Sequence, residues 1–254
     1  MKLFQALGLA SYREVALVGA GGKTTSLFLL GRELAAQGKQ VVHTTTTRMY
    51  PPPPEIPLLL GGKDRQVAAA LLLSNQVFVG SRMEGDKVLG LSCPQLEKIR
   101  SLPQVDAIVI EADGSQGLPL KFPGAHEPVV CSQDTLVVPV LGTSALGQRL
   151  GEENFHHLEL ASSYLGFAPG DVITPRLAAQ VLCHPLSYGR FLRSNAVIPL
   201  LNQADTPERK DLARELAAIL LAQEGIKRVV IAAVETSTPV RGVLNAETSC
   251  FSCS

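Results

Sequence analysis

Residues 15–25 read VALVGAGGKTT, an apolar run that passes through three glycines into a lysine and two threonines. Val15 to Val18 predict a buried strand, and the segment from Thr24 to Gln37 has the spacing of an amphipathic helix that Gly38 ends. A glycine-rich turn between a strand and a helix lets backbone N–H groups surround an oxyanion, and the positive end of the helix dipole faces it. We therefore predict that this stretch binds phosphate groups.

The predicted phosphate loop has a characteristic order of residue types. It comprises Gly19, Ala20, Gly21, Gly22, Lys23, Thr24 and Thr25. In this frame Lys23 reaches the β and γ phosphates, and Thr24 places its hydroxyl on Mg²⁺. The G-x-x-G-K-T spacing is two residues shorter than the common G-x-x-x-x-G-K-[ST], and it resembles the loop of the Mur-type peptide ligases, which also bind nucleotide. The alternative is a glycine turn without chemical function.

Apolar runs alternate with helix-like segments along the chain. The runs are almost continuously apolar, as in strands that a parallel sheet buries on both faces. Predicted strands span 14–19, 40–45, 76–80, 106–113, 134–142, 195–202 and 227–234. Predicted helices span 24–37, 64–74, 175–183 and 207–223. We expect an α/β fold with a doubly wound, mostly parallel sheet, in a three-layer sandwich like that of P-loop NTPases.

Two segments interrupt this alternation. Residues 51–57 are rich in proline and predict a stiff, extended loop, and residues from about 143 to 194 predict a helical insertion. The sequence shows no internal repeat and no polar linker that would separate two domains. We expect one domain over residues 1–254 that contains this insertion.

Composition and charge restrict the classes of protein. The chain has 46% hydrophobic residues, and its 23 basic and 23 acidic residues cancel, so the basic surface of a nucleic-acid binder is not expected. No apolar stretch approaches the length of a membrane span or a signal peptide, which predicts a cytoplasmic protein without membrane contact. Five cysteines, an odd number in a long chain, suggest free thiols in a reducing compartment.

Carboxylates follow the strand predicted at 106–113. Glu111 and Asp113 are two residues apart and would face the same side, at the sheet edge where the acid of a Walker B motif holds Mg²⁺. After the second strand, the four threonines of HTTTTR offer a further hydroxyl, from Thr45 or Thr46, to Mg²⁺ or a phosphate. The alternatives are acidic loop residues at a strand end and a β-branched strand end.

Two later segments predict further binding residues. Asn202 and Asp205 in LNQAD resemble the N-K-x-D signature with which GTPases read guanine, although Gln203 stands where that signature has lysine. Asn and Asp are also ordinary residues at helix starts, so both GTP and ATP stay open. The proline-rich segment 118–130 carries three substrate-binding candidates, namely Lys121, His126 and Glu127. Its alternative is a stiff crossover with solvated charges.

The order of these motifs resembles the YqeC family. GAGGKTT, TTTTR, EADGSQGLPLKFPGAHEPVV and LNQAD follow one another over roughly residues 14–235. The resemblance implies a bacterial-type protein that helps to mature selenium-dependent molybdenum hydroxylases, with a hydroxylase or a cofactor-maturation protein as partner. It attaches no particular reaction to the chain.

Two functions fit these residues. The first is an Mg²⁺-dependent NTP hydrolase or phosphotransferase, in which Lys23, Glu111 and Asp113 are catalytic. The second is a non-catalytic module that nucleotide switches between conformations while a partner protein performs the chemistry. A Mur-like ligase is a weaker alternative because those enzymes carry further domains.

Overall fold

The structure is a computed structural model of the 254-residue chain that describes residues 1–246. The C-terminal cysteine pair, Cys250 and Cys253, lies outside the described residues. Strands in the described part are β1 (Glu14–Gly19), β2 (Val41–Thr45), β3 (Arg48–Met49), β4 (Leu58–Leu60), β5 (Gln76–Gly80), β6 (Met83–Glu84), β7 (Lys87–Leu89), β8 (Ala107–Glu111), β9 (Leu120–Lys121), β10 (Leu136–Gly142), β11 (Phe155–His156), β12 (Leu200–Asn202), β13 (Arg228–Ala232) and β14 (Val240–Asn245). Helices are α1 (Leu3–Ala6), α2 (Lys23–Ala35), α3 (Asp64–Ser74), α4 (Cys93–Ser101), α5 (Leu158–Leu165), α6 (Pro175–Cys183) and α7 (Pro207–Leu221).

A central sheet organises the described residues. Nine strands pair in the order β14-β13-β12-β10-β1-β8-β2-β5-β4, and each pair is parallel except the antiparallel β13 and β14. Strand β1 lies in the middle of this order, so the loop after it opens at the carboxyl edge of the sheet. The prediction of an α/β fold with a mostly parallel sheet is therefore confirmed.

Helices cover both faces of the sheet. Because side chains alternate along a strand, Leu17 of β1 packs in one buried cluster with α1 and α2, while Val18 packs in another with α3, α4, α6 and α7. Segment 143–194, the predicted insertion, contains α5 and α6 and contributes side chains to the second cluster. The insertion thus packs on the same core as the sheet.

Local signals set most element boundaries. Helices α3 and α6 have the predicted bounds, and α7 begins after Thr206, whose hydroxyl accepts a hydrogen bond from the Arg209 N–H at 3.2 Å. The strand predicted at 195–202 is shorter, since only Leu200–Asn202 is regular. The edge strands β4 and β14 and the helix α4 were not predicted, because most of their side chains are exposed or only partly buried.

The prediction of free thiols was wrong for two cysteines. Cys93 begins α4, Cys131 lies in the loop before β10, and the two form a disulfide whose Cα atoms are 5.4 Å apart. Thirty-eight residues separate them in sequence, and only the packing of α4 beside that loop brings them together. Cys183 is a free thiol, and burial raises its pKa to about 11.

Among residues 1–246, none of the helices has the combined length and hydrophobicity that crossing a bilayer requires.

Candidate functional site

The glycine loop connects β1 to α2 through a tight turn. Gly19, Gly21 and Gly22 have φ values of +94°, +84° and +113°, which residues other than glycine rarely adopt. A Cβ on Gly21 would lie 2.2 Å from the backbone nitrogen of Gly142, and one on Gly22 would lie 2.3 Å from Nδ2 of Asn202. The glycines therefore allow the loop to lie directly against two neighbouring strand ends.

The amides of Ala20 and Gly21 bond to neighbouring segments, whereas the amides at the start of α2 have no side-chain cap within residues 1–246. The N–H of Ala20 donates to the Val140 carbonyl at 2.9 Å, and the N–H of Gly21 donates to the Leu118 carbonyl at 3.0 Å. These bonds fix the loop to β10 and to the segment before β9. No side chain of the described residues caps the start of α2. Since the first amides of a helix have no intrahelical partner, they present donors and a positive dipole to an anion.

Lys23 is buried at the first position of α2. Its Nζ donates to the Gly19 carbonyl at 2.5 Å and lies 3.3 Å from Oδ1 of Asp113. Asp113 is fully buried, and both of its carboxylate oxygens accept from the Gly19 N–H at 3.0 Å. The predicted lysine and one of the predicted carboxylates are thus brought together, and Asp113 also holds the first residue of the loop.

Thr24 and Glu111, each predicted as a ligand of Mg²⁺, lie in direct contact. The Thr24 hydroxyl, on the exposed side of the α2 start, donates to Oε2 of Glu111 at 2.7 Å. Burial raises the pKa of Glu111, against the opposing charge of Lys23 and the hydrogen bond from Thr24. A hydroxyl and a carboxylate at this distance are oxygen ligands of the kind that Mg²⁺ prefers. Thr25 follows in α2 and is half-buried.

Thr45 is a further predicted metal ligand, and its side chain points into the protein interior. Its buried hydroxyl donates to the backbone carbonyl of Glu111 at 2.8 Å and accepts from the Thr47 N–H at 3.0 Å. The Thr46 hydroxyl donates to the Val129 carbonyl at 3.0 Å. Thr45 therefore joins the end of β2 to the end of β8, and Thr46 joins the loop after β2 to the segment that follows β8.

Lys121 of β9 extends the buried charge cluster. Its Nζ lies 3.3 Å from Oδ2 of Asp113, donates to Oε2 of Glu127 at 2.7 Å and donates to the Gly114 carbonyl. Burial alone would raise the pKa of Glu127, but the hydrogen bond and charge of Lys121 hold it below its usual value. His126 is exposed beside this cluster.

Tyr188 is a site residue that the sequence did not indicate. Its hydroxyl, buried within segment 143–194, donates to Oδ2 of Asp113 at 3.0 Å. Burial and the adjacent Asp113 carboxylate raise the pKa of Tyr188 well above its usual value. No motif surrounds Tyr188, so only the packing of the insertion against the sheet reveals it.

Asn202 and Asp205 occupy very different environments. Asn202 is buried, donates through Nδ2 to the Gly21 carbonyl at 2.8 Å and accepts at Oδ1 from the Val234 N–H at 3.1 Å. Asp205 is exposed and pairs with Arg209 at 2.7 Å, and its pKa is lowered chiefly by that hydrogen bond. Asn202 thus braces the glycine loop, whereas Asp205 lies on the surface just before the start of α7.

A cavity of about 440 Å³ is lined by the segment before β9, by β11 and by the start of α5. Its lining includes Leu118, whose carbonyl holds the phosphate loop, and the stacked rings of His156 and His157, whose centroids are 3.9 Å apart. His156 is opposite Lys121 in the register of β9 and β11, and burial, with the nearby charges of His157 and Lys121, lowers its pKa to about 4. His157 donates through Nδ1 to the Phe122 carbonyl at 3.0 Å, so its Nε2 is left for other hydrogen bonds.

These observations define an α/β protein with a glycine loop, a buried lysine and two carboxylates at the carboxyl edge of a parallel sheet. The chain belongs to the YqeC family, because the family model described as YqeC protein matches residues 15–159. The protein called "Uncharacterized protein YqeC" from Escherichia coli (strain K12) is 33% identical over 173 residues, which cover 67% of this chain and 68% of that protein.

A solved structure is also similar to the chain. It is a DUF1611 family protein from Anabaena variabilis ATCC 29413, with 17% sequence identity and a TM-score of 0.38. The alignment covers 85% of this chain and 53% of that protein, so the chain spans about half of its length.

Proposed function

We propose that this member of the YqeC family is an Mg²⁺-dependent nucleotide-binding protein that hydrolyses an NTP or transfers its terminal phosphoryl group. The observation that carries this proposal is the meeting of the glycine loop, Lys23 and the Thr24–Glu111 pair at one edge of the sheet. Strand, loop and helix have the order of a P-loop NTPase, and helices on both faces suit the doubly wound sandwich of that class.

Each residue has a defined task in this proposal. Amides at the start of α2 bind the phosphate oxygens, and Lys23 neutralises the charge that develops on the transferred group. Thr24 and Glu111 would hold Mg²⁺, which would supply positive charge to neutralise the phosphates. No cluster of three His, Cys, Asp or Glu side chains suited to a metal occurs among residues 1–246, which agrees with a cation that completes its shell with water and phosphate. Asp113, whose oxygens already accept from protein donors, anchors the loop.

The phosphoryl acceptor distinguishes hydrolysis from transfer. The cavity lined by Leu118, His156 and His157 favours transfer, because it offers a small molecule space next to the segment that holds Gly21 of the loop and a hydrogen-bonding group at Nε2 of His157. Lys121 is opposite His156, a lining residue, in the register of β9 and β11, and Glu127 accepts from the N–H of Gly124, another lining residue. His126 is exposed next to Glu127 in the chain. With water as the acceptor, the same site would hydrolyse the nucleotide.

The biological role that we propose follows from the resemblance to the family. It is the maturation of selenium-dependent molybdenum hydroxylases in the cytoplasm, with a hydroxylase or a cofactor-maturation protein as partner. The nucleotide is GTP or ATP. Asp205 would read guanine only if Arg209 released it, because the two side chains are paired at 2.7 Å.

A non-catalytic switch is the alternative function. Thr46 connects the loop after β2 to the Glu127 segment through the Val129 carbonyl, so a change at the phosphate site could be transmitted to the surface there. The two functions differ in turnover, since a switch binds nucleotide and releases no phosphate even with its partner.

Calorimetry and a phosphate-release assay test the proposal. Purified protein is titrated with GTP and with ATP, each with Mg²⁺, and turnover is then measured for wild type, Lys23→Ala and Lys39→Ala. Lys39 is exposed beyond the end of α2 and serves as the control. We expect Lys23→Ala to lose turnover while its circular dichroism spectrum stays native. Unchanged turnover in Lys23→Ala would contradict the catalytic assignment, and a wild type that binds neither nucleotide would contradict the whole proposal.

A further inference from the structure

Two buried lysines share one buried carboxylate at the phosphate loop. Lys23 lies 3.3 Å from Oδ1 of Asp113, and Lys121 lies 3.3 Å from Oδ2. All three side chains are at most 2% exposed. The Tyr188 hydroxyl and the Gly19 N–H donate to the same carboxylate. Asp113 therefore has more positive charge beside it than one ion pair requires.

The position of Lys23 explains why a second cation matters. Its Nζ is bound to the Gly19 carbonyl and lies beside Asp113, so it must leave both to contact a phosphate. A buried carboxylate that loses its cation pays a large desolvation penalty, which would oppose this movement. Lys121 is already in place on the other oxygen and stays there when Lys23 moves.

We propose that Lys121 is a positioning residue that keeps Asp113 paired while Lys23 moves to the phosphate, and that it thereby sets the affinity for nucleotide. This inference rests on the proposed function, and it gives Lys121 a role that its place near the cavity does not suggest. Lys121 acts through Asp113 and Lys23, and it does not itself bind the nucleotide.

The surroundings of Lys121 support a role within the protein. Its side chain is fully buried, and Asp113, Glu127 and the Gly114 carbonyl surround its ammonium group. Glu127 is 28% exposed, so water solvates part of its charge, whereas Asp113 at 0% depends on protein groups alone, and Lys23 and Lys121 are the cations among them. Loss of Lys121 would thus affect Asp113 most and would tie Lys23 more strongly to it.

A double-mutant cycle tests this inference through nucleotide affinity. The probes are the β,γ-imido analogues of GTP and ATP with Mg²⁺, and Kd is measured by calorimetry for wild type, Lys121→Met, Asp113→Asn and the double variant. We expect Lys121→Met alone to weaken Kd about tenfold or more, because Lys23 then becomes the main cation of Asp113. In the Asp113→Asn background we expect the same change to alter Kd by less than about twofold.

The Asn variant is well matched to this purpose. Asparagine has the shape of aspartate, and its oxygen can still accept from the Gly19 N–H, while its amide can donate to the Tyr188 hydroxyl oxygen. Lys98→Met removes a surface lysine of α4 and is the control for a simple change of net charge. Thermal denaturation of every variant shows which ones are folded.

Each outcome decides the inference. An equal loss of affinity from Lys121→Met in both backgrounds would mean that Lys121 contacts nucleotide or supports the fold, and it would overturn the role through Asp113. If Lys121→Met does not fold, Asp113→Asn alone decides, because we expect its Kd to be unchanged or tighter, and a tenfold weakening would overturn the inference. If wild type binds neither analogue, the proposed function fails first, whereas normal binding by Lys121→Met refutes only this inference.

Discussion

Asn202→Ala is expected to lower the free energy of unfolding and to loosen the phosphate loop. The Asn202 side chain is buried and makes two hydrogen bonds, from Nδ2 to the Gly21 carbonyl and to Oδ1 from the Val234 N–H. Alanine leaves both backbone groups without these partners. An unsatisfied buried group costs about 1–3 kcal/mol, so we expect the two groups together to lower the free energy of unfolding by about 2–6 kcal/mol.

Asp205→Ala is the matched control, since it lies three residues away on the surface. Its ion pair with Arg209 joins side chains that are 48% and 36% exposed, and such a pair contributes less than about 1 kcal/mol. Urea denaturation followed by circular dichroism at pH 7 gives the free energy for wild type and both variants. The same proteins are then titrated with GTP and ATP in the presence of Mg²⁺.

The two variants separate the structural role of this segment from base recognition. We expect Asn202→Ala to weaken binding of both nucleotides alike, because it releases Gly21 of the loop. Asp205→Ala changes the preference for GTP over ATP only if Asp205 reads guanine. A free energy for Asn202→Ala within about 0.5 kcal/mol of wild type would refute the reasoning, since the two buried hydrogen bonds would then contribute nothing.

Two further predictions concern stability. Burial lowers the pKa of His43 to about 4, so the unfolded chain takes up a proton at higher pH than the folded one, and stability should fall as the pH drops from 6.5 towards 4. We expect this loss to be about 3 kcal/mol and to be absent from His43→Leu when urea denaturation is repeated across that range; equal slopes for both proteins would contradict the shifted pKa. Cys93→Ser should lower the free energy of unfolding by about 3–4 kcal/mol without reductant and by little with dithiothreitol, because the disulfide restricts the unfolded chain. Mass spectrometry after alkylation should find Cys93 joined to Cys131 in wild type, and two alkylated thiols there would show the assignment to be wrong.

Sequence patterns predicted the fold class well because they record local preferences. Continuous apolar runs predicted seven of the nine strands of the central sheet, and a capping threonine with a following proline predicted the start of α7. Edge strands β4 and β14 escaped because their side chains are only partly buried and so lack a clear pattern. The odd number of cysteines did not exclude a disulfide, since Cys93 and Cys131 form one while Cys183 is a free thiol.

The structure brings most of the predicted site residues together, but it gives Thr45 a different role. Lys23, Thr24, Glu111 and Asp113 converge because parallel strands end at one edge of the sheet. Thr45 comes to the same edge, but its hydroxyl is bound to backbone groups. A sequence motif indicates which residue types follow a strand, but it does not show in which direction each side chain points.

The sequence alone therefore determined the α/β class, the glycine turn between β1 and α2 and the resemblance to the YqeC family, since each depends on residues that are close together in the chain. Only the tertiary structure decided which groups from distant parts of the chain come into contact. Tyr188 and Asp113 are 75 residues apart, and Asn202 and Gly21 are 181 residues apart, yet each pair is in hydrogen-bond contact. Such contacts depend on the order of strands in the sheet and on the packing of the 143–194 segment, which no local pattern encodes.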